Sequence, residues 1–418
     1  MALRVKVRKE LHIKAPDPHI AVYAHNPTYV SPRGVALIEA AKEEARTPAG
    51  RYYDRRIYRR RSEDNGRTSA DEPPLSVKTD EDIERGGECR TVPMHFLDPD
   101  NGLLLAVHTV HERAGTDTGF DSAGDLSSRT QRLRHEVSRD EGRTWEDLGL
   151  IVMSGDEYDE THWGPGLWYG RNGAHADMPP WVKLPDGTVV WGLSLQPVDE
   201  RGELYSPYGG YFLEVAAMRG RWREDLSGLA WEMGETIRVG PEESSVGCCE
   251  PAMAHLGGER LFVTMRCQGD EGKGFPSLKF TSLSEDGGLT WSRPVPLRYD
   301  DGELVHSPAS LAEFVRPSWS DRLYWIANVS PEPVYFQTPR YPLYIGEVDQ
   351  DRLCLIRESL RVIDDWREGL PRDVRFTNWG SYEDRETGEI VLTLPEEPKV
   401  SWEDLTSDCY RYRIEVEE

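Results

Sequence analysis

Glu250-Pro-Ala-Met-Ala-His-Leu-Gly-Gly-Glu-Arg-Leu-Phe-Val-Thr-Met-Arg266 is the stretch richest in chemical potential: an acid opens one apolar run and a guanidinium ends the next. Other segments carry comparable groups. They are Glu88-Cys-Arg90-Thr-Val-Pro93, Asp125 in Ser-Ala-Gly-Asp125-Leu, Arg340-Tyr-Pro-Leu-Tyr344, and Ser381-Tyr382 ahead of Glu389-Ile-Val-Leu. His162-Trp163-Gly164-Pro165 and His175-Ala-Asp177-Met-Pro179 add imidazoles and an indole able to stack on a sugar ring. A planar guanidinium binds carboxylate through paired hydrogen bonds. A tyrosine with a nearby base is a nucleophile, and a carboxyl that keeps its proton is a general acid. A His or Tyr beside an arginine-neutralised carboxylate can instead abstract a proton, which is lyase chemistry. Each residue also has a plainer reading: a surface charge for any one arginine, a half-buried strand residue for Tyr382, a loop end for Glu250, polar loop anchors for the histidines.

The elements that position these groups are repeats. Ser138-Arg-Asp140-Glu-Gly142-Arg-Thr144-Trp145 returns as Ser284-Glu-Asp286-Gly-Gly288-Leu-Thr290-Trp291, and more weakly as Ser62-Glu-Asp64-Asn-Gly66-Arg-Thr68-Ser69. The starts at 62, 138 and 284 are spaced by one period and two, and Arg221 to Trp231 reads as an eroded copy in the missing slot. In each, the Asp is suited to accept turn amides and the Gly to take positive φ, and in the two full copies the Trp, which the copy ending in Ser69 has lost, is suited to fill the space beneath. A second repeat places polar turns between apolar runs: Trp181–Trp191, Met94–Val107, Met253–Thr264, Glu313–Ala327 and Tyr382–Leu394. Five such hairpins and a divergent N-terminal unit predict one all-β domain over 1–418, a six-bladed β-propeller with blades near 15–80, 85–155, 160–240, 245–300, 303–365 and 372–418. The last is short of a strand, which Arg4 to Ile13 is placed to supply. Only Pro32 to Ala45 reads as a helix.

The Ser-x-Asp-x-Gly-x-Thr-Trp repeat is the Asp box, and the chain resembles the sialidases and related BNR-repeat propellers that carry it. That resemblance implies an active site at the end of the central channel. It implies Tyr382 as nucleophile with Glu250 as its base, Asp125 as general acid, and Arg90, Arg266 and Arg340 as the carboxylate clamp. His162, Trp163 and His175 are further candidates for lining a sugar site. The implied function is an exo-acting glycoside hydrolase releasing a terminal acidic sugar, sialic acid or a relative, with no cofactor. The alternatives are a polysaccharide lyase or another glycan-active propeller hydrolase using His, Tyr and Arg, and a non-catalytic glycan-binding propeller. Innermost strands line the channel, so Tyr382 and Glu250 are expected within hydrogen-bond reach of each other.

Composition narrows the partners. A net charge of −24, from 74 acidic and 50 basic residues, repels nucleic acid and anionic membrane, and the carbohydrate partner is what the resemblance implies. Six cysteines show no paired-ligand spacing, and Cys248-Cys249 reads as buried thiols rather than a disulfide framework or zinc site. The N-terminus lacks the apolar core of a signal peptide, so the reading is cytoplasmic for the chain as written, and secreted if a leader has been removed.

Overall fold

The computed structural model describes residues 3–117, 125–176, 181–399, 401 and 403–417. Six antiparallel sheets follow one another in chain order around a central channel, as a six-bladed β-propeller. Blade one is Ala21–Tyr29, Leu37–Arg46, Tyr52–Ser62 and Ala70–Val77. Blade two has its inner strand in two pieces, Gly87–Arg90 and Met94–Leu97, then Leu104–Arg113, Arg132–Ser138 and Glu146–Leu150. Blade three likewise splits its inner strand into Ala174–Ala176 and Val182–Lys183, followed by Val189–Leu195, Glu214–Trp222 and Leu229–Met233. Blade four runs Cys249–His255, Leu261–Cys267, Leu278–Ser284 and Val295–Pro296. Blade five is Ala312–Val315, Leu323–Asn328 and Leu343–Asp349, with Cys354–Leu355 and Arg361–Asp364 outermost. Blade six takes Gly380–Glu383, Ile390–Pro395 and Cys409–Glu417, and Arg4–Ile13 pairs antiparallel with the last of these to close the ring.

The apolar core lies between blades rather than in the channel. Leu105, Val107 and Leu133 of blade two pack with Trp191, Leu193 and Met218 of blade three, and Tyr324 and Ile326 of blade five pack with Leu392 and Ile414 of blade six. Strands covered on both faces are buried throughout and mostly apolar, as in Val189–Leu195, where Ser194 is the polar exception.

Antiparallel blades alternate their turns between two faces. Strand one runs down the channel, so the inner hairpin and the turn between strands three and four share the lower face. The repeated Ser-x-Asp-x-Gly-x-Thr segments occupy that outer lower turn in blades one, two and four. Gly142 N and Thr144 N donate to Ser138 Oγ and Asp140 Oδ1, each at 2.8 Å, and the same bonds recur around Asp64 and Asp286. Gly142 takes φ +80°, and Trp145 Nε1 donates to its carbonyl at 3.1 Å. In blade three the segment Arg221 to Trp231 occupies the corresponding turn, with Asp225 accepting Ser227 N and Trp231 buried in the core.

The stretch expected as a helix, Pro32 to Ala45, supplies the strand Leu37–Arg46 instead. Its glutamates point to partners on other strands. Glu39 accepts from Arg60 at 2.6 Å and contacts His12 at 2.9 Å, and Glu43 pairs with Arg56 at 3.1 Å. Sheet pairing overrides a helical local preference.

Inside the channel, Glu313 accepts Trp379 Nε1 at 2.5 Å and the Ser381 hydroxyl. Burial pushes its carboxyl up to about 7, against those two bonds. The folded state therefore keeps a proton that the unfolded chain releases, and this contribution to stability is present below pH ~4.5 and lost as pH rises through about 7. Unfolding midpoints measured from pH 5 to 8 should fall less steeply in Glu313→Gln than in the wild type. Trp291 is half-buried against the core between blades three and four, so Trp291→Ala should cost about 2–3 kcal/mol in denaturant titration and leave any ligand binding unchanged.

Candidate active site

The inner strand of blade four is bulged where it opens. Cys249 pairs with Arg266 and Ala252 with Thr264, so Glu250 and Pro251 together oppose one residue, Met265. Glu250 sits at φ +48°, a left-handed conformation that a glutamate adopts only when its surroundings demand it. Those surroundings are identifiable. Glu250 N donates to Ser194 Oγ at 3.1 Å, and a Cβ at Gly192 would collide with Pro251, so blade three must present a glycine there. The bulge turns the carboxylate back along the sheet, where Arg266 Nη1 donates to Glu250 Oε1 at 2.6 Å.

Charge reinforces this geometry. Burial opposes ionisation of Glu250, but Arg266, Arg340 and Lys279 outweigh it and hold the carboxyl below the usual range. Burial likewise opposes the charge on Arg266, and Glu250 more than restores it. Burial and the repulsion of Arg266 push Arg340 down to about 9, leaving it charged at neutral pH. Its Nη2 donates to Ala309 O at 2.9 Å and to Gln337 Oε1 at 3.1 Å. Lys279, 1% exposed, donates to the Ser310 carbonyl. Burial pushes it down to about 7 against the pull of Glu250.

Glu250 and Arg266 line a cavity of about 230 Å³ with His175, Tyr211, Gln131 and Gln196. Four buried atoms on its wall have no protein partner among the described residues: Glu250 Oε2, Arg266 Nε, Gln131 Oε1 and Gln196 Oε1. Buried polar atoms are ordinarily paired, and this wall offers three acceptors and one donor to whatever enters.

The structure thus brings together Glu250, Arg266 and His175 from the sequence-derived candidates, with Arg340 behind them. The remaining candidates lie elsewhere. Tyr382 stands near the lower end of its strand, two residues before Asp384, whose amide closes the hairpin onto Glu389, whereas Glu250 stands six before Leu256, the corresponding residue of blade four. At about 3.3 Å per residue the two are offset by roughly 13 Å along the channel. The Tyr382 hydroxyl donates to Asn65 O at 3.4 Å, and its ring meets Tyr29 edge-on, so it packs on the blade-one turn rather than reaching Glu250. Both residues do belong to innermost strands, but at opposite mouths. Trp163 is 1% exposed in the core between blades two and three, with no face left for a sugar. His162 stacks on Trp168 with ring centroids 3.7 Å apart. Arg90 lies within 3.6 Å of Glu136 and 3.3 Å of His108, on the wall of a neighbouring cavity and not of this one. Asp125 stands at the N-cap of the four-residue helix Leu126–Arg129 and is not on the wall of the Glu250 cavity. Asp177 and Pro179 fall outside the described residues.

Gln131, Gln196 and Tyr211 were missed by sequence reasoning. A signal exists for one of them: Gln196 directly follows the second strand of blade three, as Gln268 follows that of blade four. Residues leaving that strand emerge at the same mouth where the inner strand begins. Removing Arg266 tests the electrostatic account. Arg266→Gln should cost about 2–4 kcal/mol at pH 7, because an uncompensated carboxylate is left behind. The loss should shrink toward pH 4, where Glu250 can protonate, as followed by thermal unfolding across that range.

No protein-family model matches the chain, and no curated protein matches it. Solved structures do. A Hadza microbial sialidase superposes with a TM-score of 0.57 at 15% identity, over 93% of this chain and 65% of that one. This chain thus spans about two thirds of that protein's length. The intramolecular trans-sialidase from Ruminococcus gnavus gives 0.59 at 13% identity, over 94% of both chains. The GH93 alpha-L-arabinofuranosidase of Fusarium graminearum gives 0.55 at 13% identity, covering 97% of this chain and 98% of that one. What the chain shares with them is the six-bladed propeller, a fold common to sialidase-like and arabinofuranosidase-like proteins.

Proposed function

We propose that this protein is an exo-acting glycoside hydrolase that holds a terminal sugar in the Glu250–Arg266 cavity. The observation that carries the reading is the set of four unpartnered buried polar atoms on the cavity wall. Sugar hydroxyls donate and accept, so one ring can satisfy acceptors and a donor together. The likeness to sialidases and an arabinofuranosidase supports glycan chemistry by analogy of fold. Arg266 and Arg340, with Lys279 behind them, outweigh the carboxylate of this wall, Glu250, and favour a sugar that is itself acidic, sialic acid or a relative.

Glu250, held ionised, is suited to be a base or a nucleophile and not an acid. The tyrosine on this wall is Tyr211, so the nucleophile role expected of Tyr382 passes to it, with Glu250 as its base. Asp125 remains the candidate proton donor: it lies two residues before Ser127, which lines the neighbouring upper-face cavity.

A second reading rests on the same wall. His175 and Tyr211 beside Arg266 suit proton abstraction next to a carboxylate, as a polysaccharide lyase requires. Incubation with sialosides, arabinosides and uronate glycans separates the two, because a lyase product absorbs in the near ultraviolet and a hydrolase product does not. Glu250→Gln should lower turnover about 10²–10⁴-fold with the fold retained. An equal loss in Tyr211→Phe supports tyrosine attack, and an unaffected Tyr211→Phe supports direct action of Glu250. Full turnover by Glu250→Gln would remove the site, and turnover of no substrate alongside glycan binding would make the protein a lectin-like propeller.

A further inference from the structure

A second cavity, of about 350 Å³, opens between blades one and two on the same upper face, and Thr91 lines both it and the Glu250 cavity. Its charge is unlike that of the protein as a whole. Lys42 bridges Glu44 and Asp54, each at 2.9 Å, a trio that leaves one negative charge on the wall. Three further cations line it: Lys78, Arg90 and Arg113. No carboxylate pairs with Lys78 or Arg113 among the described residues. Lys78 Nζ donates only to the Glu88 carbonyl, at 2.9 Å, and Arg113 only to the Tyr52 and Asp117 carbonyls, at 3.3 and 3.5 Å. Arg90 shares Glu136, at 3.6 Å, with Arg59, which holds that carboxylate more closely at 2.7 Å. The Nε atoms of Arg90 and Arg113 are buried and have no partner among the described residues.

In a chain carrying a net charge of −24, lysine and arginine side chains find carboxylates easily. Cations left uncompensated around a cavity, with buried N–H groups unused, mark a place for an oxyanion. The cavity adjoins the one assigned to the terminal sugar, so its occupant is the next part of the same glycan.

We propose that this cavity is a second glycan subsite, which binds the carboxylate or sulfate of the sugar unit adjoining the one held at Glu250. The placement rests on the reading of the Glu250 cavity, but the anion selectivity does not. Titration calorimetry of the full chain with three disaccharides, one containing a hexuronate, one O-sulfated and one neutral, tests it. At least one anionic disaccharide should bind about tenfold or more tightly than the neutral one, the scale of a single charge-assisted hydrogen bond. Lys78→Gln should remove most of that preference and leave the affinity for the neutral disaccharide unchanged. Which anionic disaccharide binds more tightly identifies the group. Equal affinities across the three, no binding of either anionic compound, or an equal loss for all three in Lys78→Gln would overturn the inference. Turnover by Glu250→Gln is scored separately, so selective anion binding with an inert Glu250 spares this subsite and sinks the hydrolase reading.

Discussion

Antiparallel pairing of Arg4–Ile13 with Cys409–Glu417 joins the two ends of the chain. A propeller blade buries its faces only against its neighbours, so an unclosed ring would leave two sheets half exposed and two strand edges open. Val5 and Val7 add their side chains to the core between blades five and six, so closure contributes packing as well as hydrogen bonds. The channel exists because the ring is closed, and every residue of the candidate site is positioned by its height in that channel.

Height explains why one mouth carries chemistry and the other carries scaffold. The lower face is tied by the repeated aspartate-centred turns, whose bonds are satisfied within a few residues of sequence. The upper face is built from strand starts, strand ends and the longer loops between second and third strands, where backbone is free to bulge. There blade four concentrates its irregularity: a two-residue bulge, a glutamate in a left-handed conformation, and a neighbouring glycine that makes room for the proline after it. Such strain persists only where packing imposes it, and here it aims a carboxylate at an arginine.

The electrostatic pattern follows from the same arrangement. The protein is strongly acidic overall, yet its upper face gathers Arg266, Arg340 and Lys279 near Glu250, and Lys78, Arg90 and Arg113 around a second cavity. Local fields of this kind override the far field within a cleft, where water is scarce and screening weak. An acidic protein can therefore offer an anionic ligand a favourable seat.

Much of the fold was legible in sequence because its determinants are local. Aspartate-centred turns, paired apolar runs and the spare strand at Arg4–Ile13 each depend on residues close together in the chain, and so the blade number and order could be read directly. The hairpin from Glu250 to Arg266 was legible for the same reason, since acid and guanidinium are brought together by one turn. Other decisions belonged to tertiary structure. Leu37–Arg46 became a strand because its glutamates meet Arg56 and Arg60 across the sheet. Trp163 went to the core because blades two and three converge on it. Tyr382 fell at the lower mouth, since only its distance from the hairpin turn, counted on a folded strand, reveals the end of the channel it occupies. Gln131, Gln196 and Tyr211 come from two different blades and meet Glu250 of a third only when the ring brings their upper ends together. Sequence reports what lies along a strand; which strand ends share a cavity is decided by closure of the ring.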